Sequence, residues 1–260
     1  MLLDNALAEI LDISKRYMIS TPKIVGGIPR DIYLGVDPII TKDVDLTTNS
    51  PDIIRLAVLM ADSLGVGFKV FSDGHSSIYM DKYILDFSSN FISKDAAEFS
   101  RGEDLLEVYS RDFTMNTLHK PLDSDDIEDP TEMGKKDIEN KVVRTVMPPE
   151  VTLMDDPRRV YRAVNLAVRY GFEIDEKIIS FVLDNLALFG RPKMIGIKQS
   201  YITSAIGESM NIDSEKTLYI LDKLGLTSTV PLTGAFKEYL IKGRMLDKYF
   251  KEIDRVSGLA

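Results

Sequence analysis

The sequence has no cysteine, and that absence removes disulfides, thiolate chemistry and cysteine-bound zinc together. Histidine is nearly missing as well. His75 and His119 are the only two, too few for a histidine-rich metal site or a two-histidine phosphohydrolase cluster in this chain. Each reads as a strand or turn residue before it reads as a catalyst. There is no apolar run long enough to span a bilayer and no basic-then-apolar leader, so the expected setting is intracellular and cytoplasmic. Positive charge is in deficit, with 32 Lys and Arg against 41 Asp and Glu and a net charge of −9. A nucleic-acid contact on such a chain must rest on a local basic face. What is present is an ordinary globular composition: 260 residues, 44% hydrophobic and 28% charged, enough for two or more cores.

The most informative stretch is Lys23-Ile24-Val25-Gly26-Gly27-Ile28-Pro29-Arg30-Asp31, followed by Asp43-Val44-Asp45. Ile24 and Val25 read as the end of a buried strand. The glycine pair lets the backbone turn tightly and approach a ligand closely. Pro29 suits the first turn of a helix and Gly35 its C-terminal stop. Free N–H groups at such a turn suit a phosphate. Asp43 and Asp45, two apart on a strand, share a face about 6–7 Å apart along the chain. Two carboxylates side by side repel unless a hard cation lies between them, and Mg²⁺ takes such carboxylates together with substrate phosphates.

Elsewhere the pattern is mixed. Leu3, Leu7, Ile10, Leu11 and Ile13 have helical spacing. Ser50-Pro51-Asp52 reads as a helix start, and Gly65 as that helix's end. Residues 68–71, 77–80 and 83–87 read as short strands, the last two joined by a turn at Asp81-Lys82. Residues 90–102 are polar with little periodicity and read as a mobile loop. Residues 142–146 are β-branched and precede Pro148-Pro149, a natural domain break, and from Leu153 onward the pattern is helical. Asp86 alternates away from Tyr83, Leu85 and Phe87, so it either joins the face of Asp43 and Asp45 or sits on a solvated edge. Asp155-Asp156-Pro157-Arg158-Arg159 opens a helix whose Val160, Ala163, Val164, Ala167 and Val168 form one apolar stripe. Arg158, Arg159, Arg162, Asn165 and Arg169 lie opposite, and Gly171 closes the helix. That face suits triphosphate or RNA backbone, and the same pattern also suits an Asp156-capped helix with solvated charges.

Gly-Gly-x-x-Arg-Asp followed by Asp-x-Asp resembles the DNA-polymerase-β-like nucleotidyltransferases, and among them the class II branch of tRNA CCA-adding enzymes and poly(A) polymerases. The resemblance covers about residues 20–226. It implies an α+β fold: a head with a small mixed or antiparallel sheet and flanking helices over residues 1–147. A helical neck follows over 148–226 and a shortened helical body over 227–260. It implies Asp43 and Asp45 as metal ligands in a two-metal Mg²⁺ site and Asp86 as the third catalytic carboxylate. Gly26, Gly27 and Arg30 would steady the triphosphate.

Arg111-Asp112-Phe113-Thr114-Met115-Asn116 is similar to the family element that contacts ribose and phosphates, with Ser110 in place of a first arginine and Phe113 and Met115 inward on a strand. Asp129-Pro130-Thr131-Glu132-Met133-Gly134-Lys135-Lys136-Asp137 resembles a family turn with an acid-rich loop that hinges head to neck. Asp156 and Arg159 match the residues that read the base edge, and Arg162 adds a phosphate contact. An acid accepting from an exocyclic amine beside an arginine suits both cytosine and adenine, which share an amine next to a ring nitrogen. Asp155 replaces a usual Glu, Asn165 a usual arginine, and Lys198-Gln199-Ser200 a usual Glu-Arg pair. The implied reaction is transfer of CMP or AMP from CTP or ATP to an RNA 3′ end, most naturally that of tRNA. Poly(A) addition or only one of the CC and A steps is the near alternative. An RNA- or nucleotide-binding subunit, whose missing body a partner or second copy supplies, is the alternative of another class.

Overall fold

The computed structural model describes residues 3–37, 43–48, 52–71, 75–88 and 106–258. The expected helix start at Ser50-Pro51 and the expected loop at 90–102 lie outside these residues. The chain divides into two compact units, Met1–Ile138 and Glu139–Ala260.

The first unit is built on a six-stranded mixed sheet of order β3-β4-β5-β2-β1-β6. Its strands are β1 (Lys23–Ile24), β2 (Asp43–Thr47), β3 (Phe68–Val70), β4 (Ser76–Tyr79), β5 (Ile84–Phe87) and β6 (Lys120–Pro121). Only β2 and β5 run parallel; the other pairs are antiparallel. Period-two alternation gives the sheet two different faces. Val44, Leu46, Ile78, Leu85 and Phe87 project from one face and are fully buried. Two helices cover them: α1 (Leu3–Arg16), through Ala6, Ile10 and Ile13, and α3 (Asp52–Leu64), through Ile53, Leu56, Ala57 and Met60. Full burial of each large side chain contributes about 1.5–3 kcal/mol, which fixes which face is inward. The aspartates are therefore left on the other face.

The short α2 (Gly27–Tyr33) follows β1 directly, with Pro29 in its first turn. Residues 114–116 depart from the strand expected there. Thr114–Asn116 is a 3₁₀ turn, because the Asp112 carboxylate accepts from the Phe113 N–H at 2.8 Å and from Asn116 Nδ2 at 2.9 Å and closes the backbone locally. Phe113 and Met115 are nonetheless fully buried.

The second unit is helical apart from the parallel pair β7 (Val142–Val143) and β8 (Glu173–Ile174). Its centre is the helix Arg159–Tyr170. Val160, Ala163, Val164, Ala167 and Val168 are buried as the stripe requires, and Gly171 closes the helix with φ +70°. The helices Gln199–Ile212 and Ser214–Leu224 pack beside it.

Candidate active site

The site in the first unit is set by strand register. Asp45 on β2 is directly opposite Asp86 on β5, and Asp43 is two residues earlier on the same face as Asp45. Asp86 is in turn opposite Ser77 on β4, whose hydroxyl donates to its carboxylate. Burial raises the Asp86 pKa above the ordinary carboxylate value, the Ser77 hydrogen bond opposes that, and the charges of Asp45 and Asp43 push it up further. Like charges gathered on one face are the arrangement a divalent cation would relieve.

The glycine turn abuts this row. Gly26 has φ +79° and ψ −129°, a conformation essentially restricted to glycine. A Cβ there would lie 3.0 Å from both Asp45 Oδ2 and Arg111 Nη1. Arg111 Nη1 donates to Asp45 Oδ2 at 3.3 Å, and the Asp45 side chain is 42% exposed. So backbone, guanidinium and carboxylate meet at one point open to solvent.

Behind that point lies a buried relay. Arg111 Nε donates to Glu107 Oε1 at 2.5 Å, and Glu107 Oε2 lies 3.4 Å from His119 Nε2. Burial alone would raise the Glu107 pKa, but the Arg111 charge, with His119, brings it down to about 2. Burial likewise opposes the charge on Arg111, and the carboxylates of Glu107 and Asp45 outweigh it and raise that pKa. Glu107 was not singled out from the sequence, although its position four residues before Arg111 was a readable signal.

Arg30, Asp112 and Asn116 form a second buried network under the turn. Arg30 donates through Nε to Asp31 Oδ1 at 2.9 Å and through Nη1 to Asn116 Oδ1 at 2.6 Å; Asn116 reaches Asp112 as above. A Cβ on Gly27 would sit 3.1 Å from Arg30 Nη2, so the guanidinium lies close beneath the turn. Arg30 is only 7% exposed.

In the second unit, Asp156 does not serve as a conventional cap for the helix Arg159–Tyr170. It ends the preceding helix Pro149–Asp155, and its Oδ1 accepts from the Arg158 N–H at 3.0 Å. Its two oxygens also receive Arg158 Nε at 2.8 Å and Nη2 at 2.9 Å, a forked pair. Arg159 Nη1 donates to the Thr152 carbonyl at 3.0 Å and lies 3.1 Å from Asp155 Oδ2. Of the expected basic face, Arg158 and Arg162 are exposed. Asn165 and Arg169 turn to the helix Gln199–Ile212, where both meet Glu208.

A mixed sheet carrying a glycine turn against strand-borne aspartates gives the first unit the fold of a polymerase-β-like head. The Poly A polymerase head domain model matches residues 23–144. The tRNA nucleotidyltransferase cca2 of Schizosaccharomyces pombe is 39% identical over 189 residues, covering 62% of this chain and 38% of that protein. The CCA-adding enzyme of Lactobacillus helveticus is 26% identical over 222 residues, 83% of this chain and 53% of that enzyme. A solved structure of a tRNA-processing enzyme with CTP matches with a TM-score of 0.63 and 26% identity, covering 86% of this chain and 58% of that one. Over residues 23–144 the chain is thus similar to the head domain of the poly(A) polymerases, and over a longer stretch to the tRNA nucleotidyltransferases. It spans between 38% and 58% of the length of these three proteins.

Proposed function

We propose that this protein transfers a nucleoside monophosphate, CMP or AMP, from CTP or ATP to the 3′-hydroxyl of an RNA, with pyrophosphate as the leaving group. The observation that carries this reading is the in-register pairing of Asp45 with Asp86 beside the Gly26 turn and Arg111. The preferred acceptor is a tRNA lacking its CCA end, in keeping with the names of the relatives. A cytoplasmic setting is part of the same proposal; no helix among the described residues is long and apolar enough to cross a membrane.

A divalent cation fits the residues present. The Asp86 pKa is raised partly by its acidic neighbours, which a cation would offset. Among the described residues no three acidic or histidine side chains close around an ion by themselves, so water and substrate phosphate oxygens would complete the shell. Asp43 and Asp45 would hold Mg²⁺, which when bound supplies positive charge against the reacting phosphates. Asp86, with its affinity for protons raised, takes the proton of the incoming 3′-hydroxyl. Gly26 and Gly27 form the phosphate seat, and Arg30 supports it from below. Arg111 donates to a phosphate oxygen, and Asp112 with Asn116 orders the ribose side. Asp156 and Arg159 read the base, and Arg162 adds a phosphate contact.

The test is incorporation of labelled CTP and ATP onto tRNA ending before CCA, tRNA ending in CC, and an unrelated oligoribonucleotide. Addition of the missing residues to the tRNA ends alone is the expected result. Long A-tracts on any RNA would favour poly(A) addition, a reading the matched head domain also suits. No addition by this chain alone, with activity restored by a second polypeptide, would favour the subunit reading.

A further inference from the structure

We propose that Lys69, Phe71 and His75 form the seat for the terminal base of the RNA acceptor, beside Asp86. This inference rests on the function proposed above.

The register places these residues on the reactive face. Lys69 is opposite Ser77, Ser77 is opposite Asp86, and Asp86 is opposite Asp45. The row across the sheet therefore reads Asp45, Asp86, Ser77, Lys69. Phe71 continues the β3–β4 pairing by one step, its N–H donating to the His75 carbonyl at 2.9 Å. Phe71 is two residues from Lys69 and His75 two from Ser77, so both rings belong to the same face. Phe68 and Val70 belong to the other face. The rings of Phe71 and His75 stack with centroids 4.0 Å apart and planes 9° apart, and Lys69 Nζ lies 4.4 Å from the Phe71 centroid. Lys69 is exposed, and Phe71 and His75 are half-buried.

The chemistry decides what such a cluster would hold. In an in-line displacement the attacking oxygen and the leaving pyrophosphate lie on opposite sides of the phosphorus. The Gly26 turn and Arg111 meet Asp45 on its β1 side, so the leaving group belongs there. The 3′-hydroxyl then belongs on the Asp86 side, and the next groups outward on that side are Ser77 and the cluster. An aromatic pair with an adjacent cation is the arrangement that binds single-stranded nucleic acid, the ring taking a base face and the lysine a backbone phosphate. On a chain of net charge −9, Lys69 sets one positive charge beside the row of aspartates.

The experiment uses the full chain and a short single-stranded RNA ending in 2-aminopurine, whose fluorescence is quenched on stacking. The wild type is expected to quench it. Phe71→Leu, His75→Ala and Lys69→Gln each weaken RNA binding roughly tenfold. In steady-state transfer they raise the KM for RNA and leave the KM for CTP unchanged. His75→Phe, which restores a ring, recovers the quenching, which a variant that simply failed to fold would not do. Unchanged RNA affinity in all three variants, or an equal rise in both KM values, overturns the proposal. Asp43→Ala with Asp45→Ala separates the two claims. If that variant still quenches while transfer is lost, both stand. If the wild type quenches and the cluster variants do not, yet no RNA is ever extended, the seat stands and the reaction fails. If RNA is extended but quenching is absent, the reaction stands and the seat fails.

Discussion

Arg111 can carry its charge into a nearly closed space because Glu107 meets it there with a buried carboxylate, and because Asp45 draws its other arm toward solvent. Removing one partner of such a pair leaves a buried charge uncompensated, at a cost of about 3–5 kcal/mol. Glu107→Gln is therefore expected to lower the thermal midpoint and to raise the KM for nucleoside triphosphate through a misplaced Arg111. The pH dependence follows from the same geometry. The Glu107 carboxyl titrates at about 2 in the fold against an ordinary 4.5, so its contribution is complete above pH 4.5 and fades as pH falls toward 2. Melting curves across that interval should slope steeply for wild type and less for Glu107→Gln; equal slopes would remove Glu107 from the account.

At the level of elements, the turn between β1 and α2 is constrained both in its backbone and in the space around it. Gly26→Ala adds a Cβ at 3.0 Å from Asp45 Oδ2 and Arg111 Nη1 in a backbone region that side chains avoid. About 1–3 kcal/mol of stability should be lost. Activity should fall further than stability explains, since Arg111 and Asp45 must move apart. A variant that melts lower but keeps its kcat and KM would show that the seat lies elsewhere. Much of this element could be read from the sequence, because two glycines, a proline and alternating aspartates each restrict the backbone locally. The apolar stripe of the helix Arg159–Tyr170 was equally readable, since 3.6-residue periodicity is a local property. The 3₁₀ turn at Thr114–Asn116 was not, because the Asp112 side chain overrides a β-like pattern. Nor was the forked Arg158–Asp156 pair, which periodicity does not encode. The pairing of Asp45 with Asp86 was legible only as a shared face: parallel register across 41 residues is decided by the core packing of Val44, Leu46, Leu85 and Phe87, not by either segment alone.

For the whole molecule, the residues of the proposed function fall in both units. The aspartate row and the phosphate seat belong to Met1–Ile138, and Asp156 and Arg159 belong to Glu139–Ala260. Substituting Asp156 by Ala should blunt the preference for CTP and ATP over UTP and GTP by roughly tenfold, one lost base-edge hydrogen bond, while tripolyphosphate inhibition stays the same. Equal loss with all four nucleotides would mean that Asp156 supports the fold and reads no base. The central claim is that Asp43 and Asp45 together are required for the chemistry. The most direct measurement is single-turnover incorporation of labelled CTP onto tRNA lacking CCA, with Mg²⁺, by wild type and by Asp43→Ala plus Asp45→Ala. The expected result is a loss well beyond the roughly 100-fold that removal of an outer-shell partner costs, with the thermal midpoint kept. Incorporation by the double variant at the wild-type rate would contradict it.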